Sequence, residues 1–233
     1  NHDQTSARDD EAGEALKRMH ARGRAIGTFA AKLELDLTRA DGAKASLAGD
    51  LRMARPDRFR LRSSRFGFMV CDVVMHGDEC SALLSPIVRE QALASADASK
   101  ALLGVLGSLL GWIGSDAMHF ELVCGDPDRA VFRVMRDQDQ SLEWTIARDD
   151  GRVLIVERWE AGALTGRLEC MEHALVDGVP LPRRLQFVSP MGRIDVSVRS
   201  MRVNPELEDS AFTPPAGAER LDGMTRSGEP RSP

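Results

Sequence analysis

Apolar residues recur at every second position over most of this chain, and that period decides what the chain can become. Phe29, Ala31, Leu33, Leu35 and Leu37 alternate with other residues, and so do Ala45, Leu47, Gly49, Leu51 and Met53. A period of two places each set on one face of a β-strand. Arg55-Pro56-Asp57 interrupts the second run, because proline has no N–H to give a ladder, and pairing resumes at Phe59 and Leu61. Turn signals separate the remaining runs, among them His76-Gly77-Asp78-Glu79, Asp149-Asp150-Gly151 and Ala161-Gly162. The pattern predicts ten or eleven short strands in meander order.

Two segments follow a helical period instead. Ala12, Ala15, Leu16 and Met19 mark an amphipathic helix from Glu11 to Arg24, acidic at its start and basic at its end. The longest apolar run, Lys100 to Gly114, places Leu102, Leu103, Val105, Leu106, Leu109, Leu110, Trp112 and Ile113 on one face and Gly104, Gly107, Gly111 and Gly114 on the other. At about 1.5 Å per residue it is too short to cross a bilayer core of about 30 Å. It is either a buried core helix or a movable lid over an apolar cavity. Helices inside an antiparallel meander imply an α+β fold: a strongly curved antiparallel sheet, an unclosed β-barrel, with helices on its concave face. Residues 1–10 and 222–233 are expected to be disordered, with one domain over 11–221.

Chemistry is sparse. Gly107-Ser108-Leu109-Leu110-Gly111 misplaces the serine of a nucleophile elbow, and no phosphate-binding glycine loop occurs. The five histidines are dispersed; His76 with Asp78 and Glu79 reads as a hairpin tip rather than a metal site. Glu157, Glu160 and Glu169 have arginine neighbours, and the many arginines read as solvated strand faces. Net charge is −5 with no basic stripe, which argues against a nucleic-acid partner. The four cysteines form no CxxC pair and read as buried free thiols, including Cys71 beside Asp72. With a turn at Gly77-Asp78, Met75 faces Cys80, so Cys71 and Cys80 should not be bonded to each other. No enzyme, cofactor or metal is expected. The core is aliphatic, since the chain has eight Phe, three Trp and no Tyr.

Three segments resemble the LolA/LolB-like superfamily of periplasmic lipoprotein carriers and related lipid-binding lipoproteins. Leu51-Arg52-Met53-Ala54-Arg55-Pro56-Asp57-Arg58-Phe59 is similar to that family's strand ending in Arg-Pro-x-x-Phe. His76-Gly77-Asp78-Glu79, followed by Ser85-Pro86 and Glu90-Gln91, resembles its hairpin and later connection. Ala211-Phe212-Thr213-Pro214-Pro215-Ala216-Gly217-Ala218 resembles its closing Phe-x-Pro-Pro-x-Gly segment. The resemblance implies an unclosed barrel with a helical lid over a cavity for acyl chains, and Arg55 matches the family's arginine near that cavity. The expected function is an exported, non-enzymatic carrier or binder of lipid acyl chains or of a lipoprotein. The alternative is an envelope sensor or protein-interaction module with the same fold. Expected cavity and lid residues are Leu33, Leu35, Arg55, Phe59, Leu61, Val73, Leu102, Leu106, Leu109, Leu110, Ile113, Phe120, Phe132 and Trp144. Expected partners are a lipid or acylated lipoprotein and a membrane-bound donor or acceptor protein, with the chain itself a monomer. The expected location is the periplasm or cell envelope, with a lipid anchor on a cysteine upstream of Asn1.

Overall fold

The computed structural model describes residues 2–77, 79–86, 119–135 and 138–220, with side chains from residue 9 onward. In chain order the elements are α1 (His2–Ala25), β1 (Thr28–Arg39), β2 (Lys44–Ala54), β3 (Arg58–Arg65), β4 (Phe68–His76), β5 (Glu79–Leu84), β6 (Glu121–Gly125), β7 (Arg129–Met135), β8 (Gln140–Ala147), β9 (Val153–Glu160), β10 (Ala163–Val176), β11 (Val179–Ser189), β12 (Gly192–Val203) and β13 (Glu219–Arg220). A 3-10 turn, Asp209–Phe212, lies between the last two strands.

The chain forms two compact units, one of Asn1–Ala25 with Gly104–Pro190 and the other of Ile26–Leu103 with Met191–Pro233. The second holds seven strands in the order β13-β5-β4-β3-β2-β1-β12; the first holds six, β11-β10-β9-β8-β7-β6, together with α1. Pairing within each unit is antiparallel, and neither run of strands closes on itself. The expected antiparallel, unclosed architecture is therefore present, with thirteen strands among the described residues rather than ten or eleven. The C-terminal stretch contributes the two-residue β13.

One boundary differs from the sequence reading. Helix α1 begins at His2, taking in residues assigned to a disordered lead; no proline or glycine between His2 and Glu11 stops it. Strand β11 begins at Val179 although two prolines follow. Pro180 and Pro182 share one parity, so both missing N–H donors fall toward the same neighbouring strand and the other edge keeps its ladder; Val179, Pro180 and Leu181 are all buried. The apolar run Lys100 to Gly114 lies outside the described residues, as do residues 222–233.

Candidate functional site

In the seven-stranded unit, cross-strand register gathers the alternating apolar residues onto one face. Leu33 opposes Gly49, Leu51 opposes Leu61, Met53 opposes Phe59, and Leu61 opposes Val73, which opposes Ala82. Opposed residues point the same way, so the face extends from β5 to β1 and continues to Val196 on β12, opposite Leu35. Leu33, Leu35, Leu51, Met53, Phe59, Leu61 and Val73 are each no more than 7% exposed, so this face is shielded from water. Gly49 lets Leu33 approach closely: a Cβ there would lie 3.3 Å from Leu33 Cβ. Ser63 is buried on the same face, 3.1 Å from Cys71 Sγ.

The other face of this unit is charged. Asp72 is buried on β4, where the Arg60 guanidinium clasps both its oxygens at 2.8 Å and Arg62 reaches one at 3.0 Å. Burial acts to raise the Asp72 carboxyl, but hydrogen bonds from Arg60 and Arg62 outweigh it and hold the group below the usual carboxylate range. Arg60 also donates to the Ala211 carbonyl at 3.0 Å. Phe212 and Ala211 pack on Ala54, with the Arg58 guanidinium 5.0 Å above the Phe212 ring. At the other end of this C-terminal strap, Asn204 Oδ1 accepts from the Gly27 and Thr28 amides and Thr28 Oγ1 donates to the Pro205 carbonyl. Between these two anchorages, residues 206–208 span a groove of about 690 Å³.

The six-stranded unit has a covered face of its own. Ala130, Phe132, Val134, Leu142, Trp144, Ile146, Val156 and Leu168 are buried, and α1 turns Ala12, Ala15 and Met19 inward at helical spacing. Phe120 sits edge-on to three rings: His20 at 5.1 Å, Trp144 at 6.1 Å and Phe132 at 6.4 Å. Helix α1 is tied down where Arg18 Nη2 donates to the Arg148 carbonyl at 2.7 Å and Arg22 donates to the Asp150 carbonyl. Gly151, at φ 72°, lies against this helix; a Cβ there would collide with the Ala15 carbonyl and lie 3.1 Å from the Met19 nitrogen.

The expected site residues thus form two groups. Leu33, Leu35, Phe59, Leu61 and Val73 share the apolar face of one unit, and Phe120, Phe132 and Trp144 meet in the other. Arg55 is half-buried at the end of β2, its amide donating to the Gly27 carbonyl at 2.8 Å. Leu102, Leu106, Leu109, Leu110 and Ile113 lie outside the described residues. The thiols are free, and Met75 sits opposite Cys80 as the turn implied. Burial pushes the Cys80 thiol up to about 11 and the Cys170 thiol up to about 12, and it raises Cys71 as well. Cys124 is exposed and Cys71 half-buried, against the reading of four buried thiols.

One feature escaped the sequence reading. The β3–β4 hairpin turns at Phe66 and Gly67, both with positive φ, as in a type I′ turn. Phe66 is 87% and Phe68 78% exposed, with the Arg65 guanidinium 5.3 Å from the Phe66 ring. A phenylalanine where such turns usually carry Asn or Asp was the available signal.

No family model and no curated protein sequence matches the chain. Solved structures do. A LolA superfamily protein from Nitrosomonas europaea superposes with a TM-score of 0.62 at 12% identity, covering 87% of this chain and 97% of its own. A domain from Vibrio parahaemolyticus named for outer membrane lipoprotein sorting gives 0.63 at 13% identity, covering 87% and 96%. A DUF1329 family protein from Desulfovibrio piger gives 0.61 at 9% identity, covering 87% and 97%. The chain has a LolA-like fold.

Proposed function

We propose that this protein is an exported, non-enzymatic carrier or binding protein for acyl chains, those of a lipid or of an acylated lipoprotein. The observation that most supports this is the breadth of the aliphatic face on the seven-stranded unit, continuous over β12, β1, β2, β3, β4 and β5. Leu33, Leu35, Phe59, Leu61 and Val73 are the proposed cargo contacts there, with Arg55 at the edge; Phe120, Phe132 and Trp144 keep the same assignment in the six-stranded unit. Each buried methylene of a cargo chain contributes about 0.8 kcal/mol. Because the face is already shielded, cargo has to displace an existing cover, which offsets part of that gain and keeps uptake reversible. The fold supports the reading, since one of its neighbours is named for lipoprotein sorting. The periplasm or cell envelope is the proposed location, with a membrane-bound donor or acceptor as partner. The buried thiols, held protonated at neutral pH, make poor nucleophiles.

The exposed Phe66-Gly67-Phe68 tip favours a second reading, an envelope interaction module that docks a protein through this hairpin. Titration of the intact protein with a fluorescent fatty acid tests the first. Saturable binding, displaced by unlabelled fatty acid, is expected. A probe that does not bind favours the interaction module.

A further inference from the structure

The groove under the C-terminal strap lies on the charged face of the seven-stranded unit, behind the aliphatic one. Its floor is set by register. Ala30 on β1 lies between Arg202 on β12 and Arg52 on β2, and Lys32 follows two residues along on the same face. Three cations from three adjacent strands thus surround a single methyl group. Like charges side by side on a sheet repel, and these are only partly compensated. Asp50, which also lines the groove, pairs with Arg52 at 2.9 Å and stands directly opposite Lys32 in the register, so it offsets part of this charge; Lys32 and Arg202 form no ion pair among the described residues. Arg60, which lines the same groove, is already committed to Asp72 and the Ala211 carbonyl.

The opposite wall is the strap, which presents Glu206 and Glu208. Glu208 accepts a hydrogen bond from Ser210 Oγ at 3.1 Å, and neither carboxylate forms an ion pair with the floor. The strap is pinned at Asn204 and at Phe212, so it cannot simply collapse to bring the two walls together. Opposite charges therefore face each other across a preformed gap of about 690 Å³, within the size range of small-molecule sites.

We propose that this groove binds a zwitterionic phosphate ester of the phosphoethanolamine type. Its phosphate would be held by Lys32, Arg52 and Arg202, and its ammonium would face Glu206 and Glu208. A phosphate offers several oxygens to three donors arriving from different strands, and guanidinium forks match it in pairs. An inorganic anion would satisfy the floor and leave the strap unanswered, whereas a zwitterion answers both.

The chemistry is shared by soluble phosphoesters and by lipid headgroups, so the test has an arm for each. Binding to the intact protein is measured for O-phosphoethanolamine and for ethyl phosphate, which lacks the ammonium, by 31P NMR titration. Co-sedimentation is measured with phosphatidylethanolamine vesicles, with and without soluble O-phosphoethanolamine as competitor. Lys32→Gln with Arg202→Gln removes two exposed side chains that hold no described contact, and circular dichroism verifies that the sheet is retained. Saturable O-phosphoethanolamine binding is expected, weakened at least tenfold in that double variant. Glu206→Gln with Glu208→Gln should weaken O-phosphoethanolamine more than ethyl phosphate. Vesicle binding abolished by the soluble competitor identifies the headgroup as the source; soluble binding alone identifies a free phosphoester. No saturable binding of either probe, or binding equal in parent and Lys32→Gln/Arg202→Gln protein, overturns the proposal. The fatty-acid titration reads the opposite face, so the two proposals fail separately.

Discussion

Asp72 shows how far a single side chain's environment can depart from its neighbours in sequence. It stands in the apolar run Phe68 to His76, yet its side chain is 2% exposed against Arg60 at 13%. Removing one partner of a buried ion pair strands the other, at a cost of about 3–5 kcal/mol. Asp72→Ala should lower unfolding free energy by about that amount in urea titrations. Arg60→Met with Asp72→Leu should cost clearly less than the two single changes combined. The carboxyl is held below its ordinary value of 3.8, so its stabilising contribution is complete above that pH and is lost as pH falls through the folded value. Acid unfolding of the parent below pH 3.8 should be steeper than that of Asp72→Asn. His173 has the same sign at a higher pH. Burial lowers it from 6.5, outweighing the hydrogen bond to the Val153 carbonyl. Stability should therefore decline as pH drops below 6.5, and His173→Gln should flatten the melting temperature across that window. Neither environment was legible in the sequence. Sequence alone makes the arginines solvated strand-face residues, and Arg60 reaches Asp72 only through the β3–β4 register, which alternation leaves unspecified.

At the scale of elements, alternation and turn chemistry located most strands closely, because each face is sorted by burial and most hairpins carry a glycine with positive φ. The pieces that needed long-range partners were less visible. Helix α1 docks through backbone carbonyls of the turn after β8, and Gly151 allows that contact. Gly151→Ala should cost more than about 1 kcal/mol, from the left-handed conformation plus the collision with Ala15. Hydrogen exchange in α1 should accelerate correspondingly. The Phe66-Gly67-Phe68 hairpin behaves oppositely. Its rings are exposed, so Phe66→Ser with Phe68→Ser should leave stability within about 0.5 kcal/mol per substitution. If the tip meets the lipid interface, where aromatic rings are favoured, the same variant should co-sediment with anionic vesicles several-fold less than the parent.

For the whole molecule, period-two patterning made the antiparallel architecture legible, whereas the packing of Ala211 and Phe212 on Ala54 carries no periodic signal. The proposed cargo contacts were legible only as a list of mostly apolar residues. Alternation alone does not say which parity faces inward; register settles it by setting Leu51, Leu61, Val73 and Ala82 in one row. The groove beneath the strap left no local signal, because Lys32, Arg52 and Arg202 are brought together by pairing between distant strands. The central proposal is that the aliphatic face exchanges its cover for an acyl chain. Native mass spectrometry of the gently purified chain measures this most directly. The account predicts a population carrying an added mass of lipid size, which excess fatty acid displaces. Bare protein alone, unchanged after incubation with fatty acid or phospholipid, would contradict it.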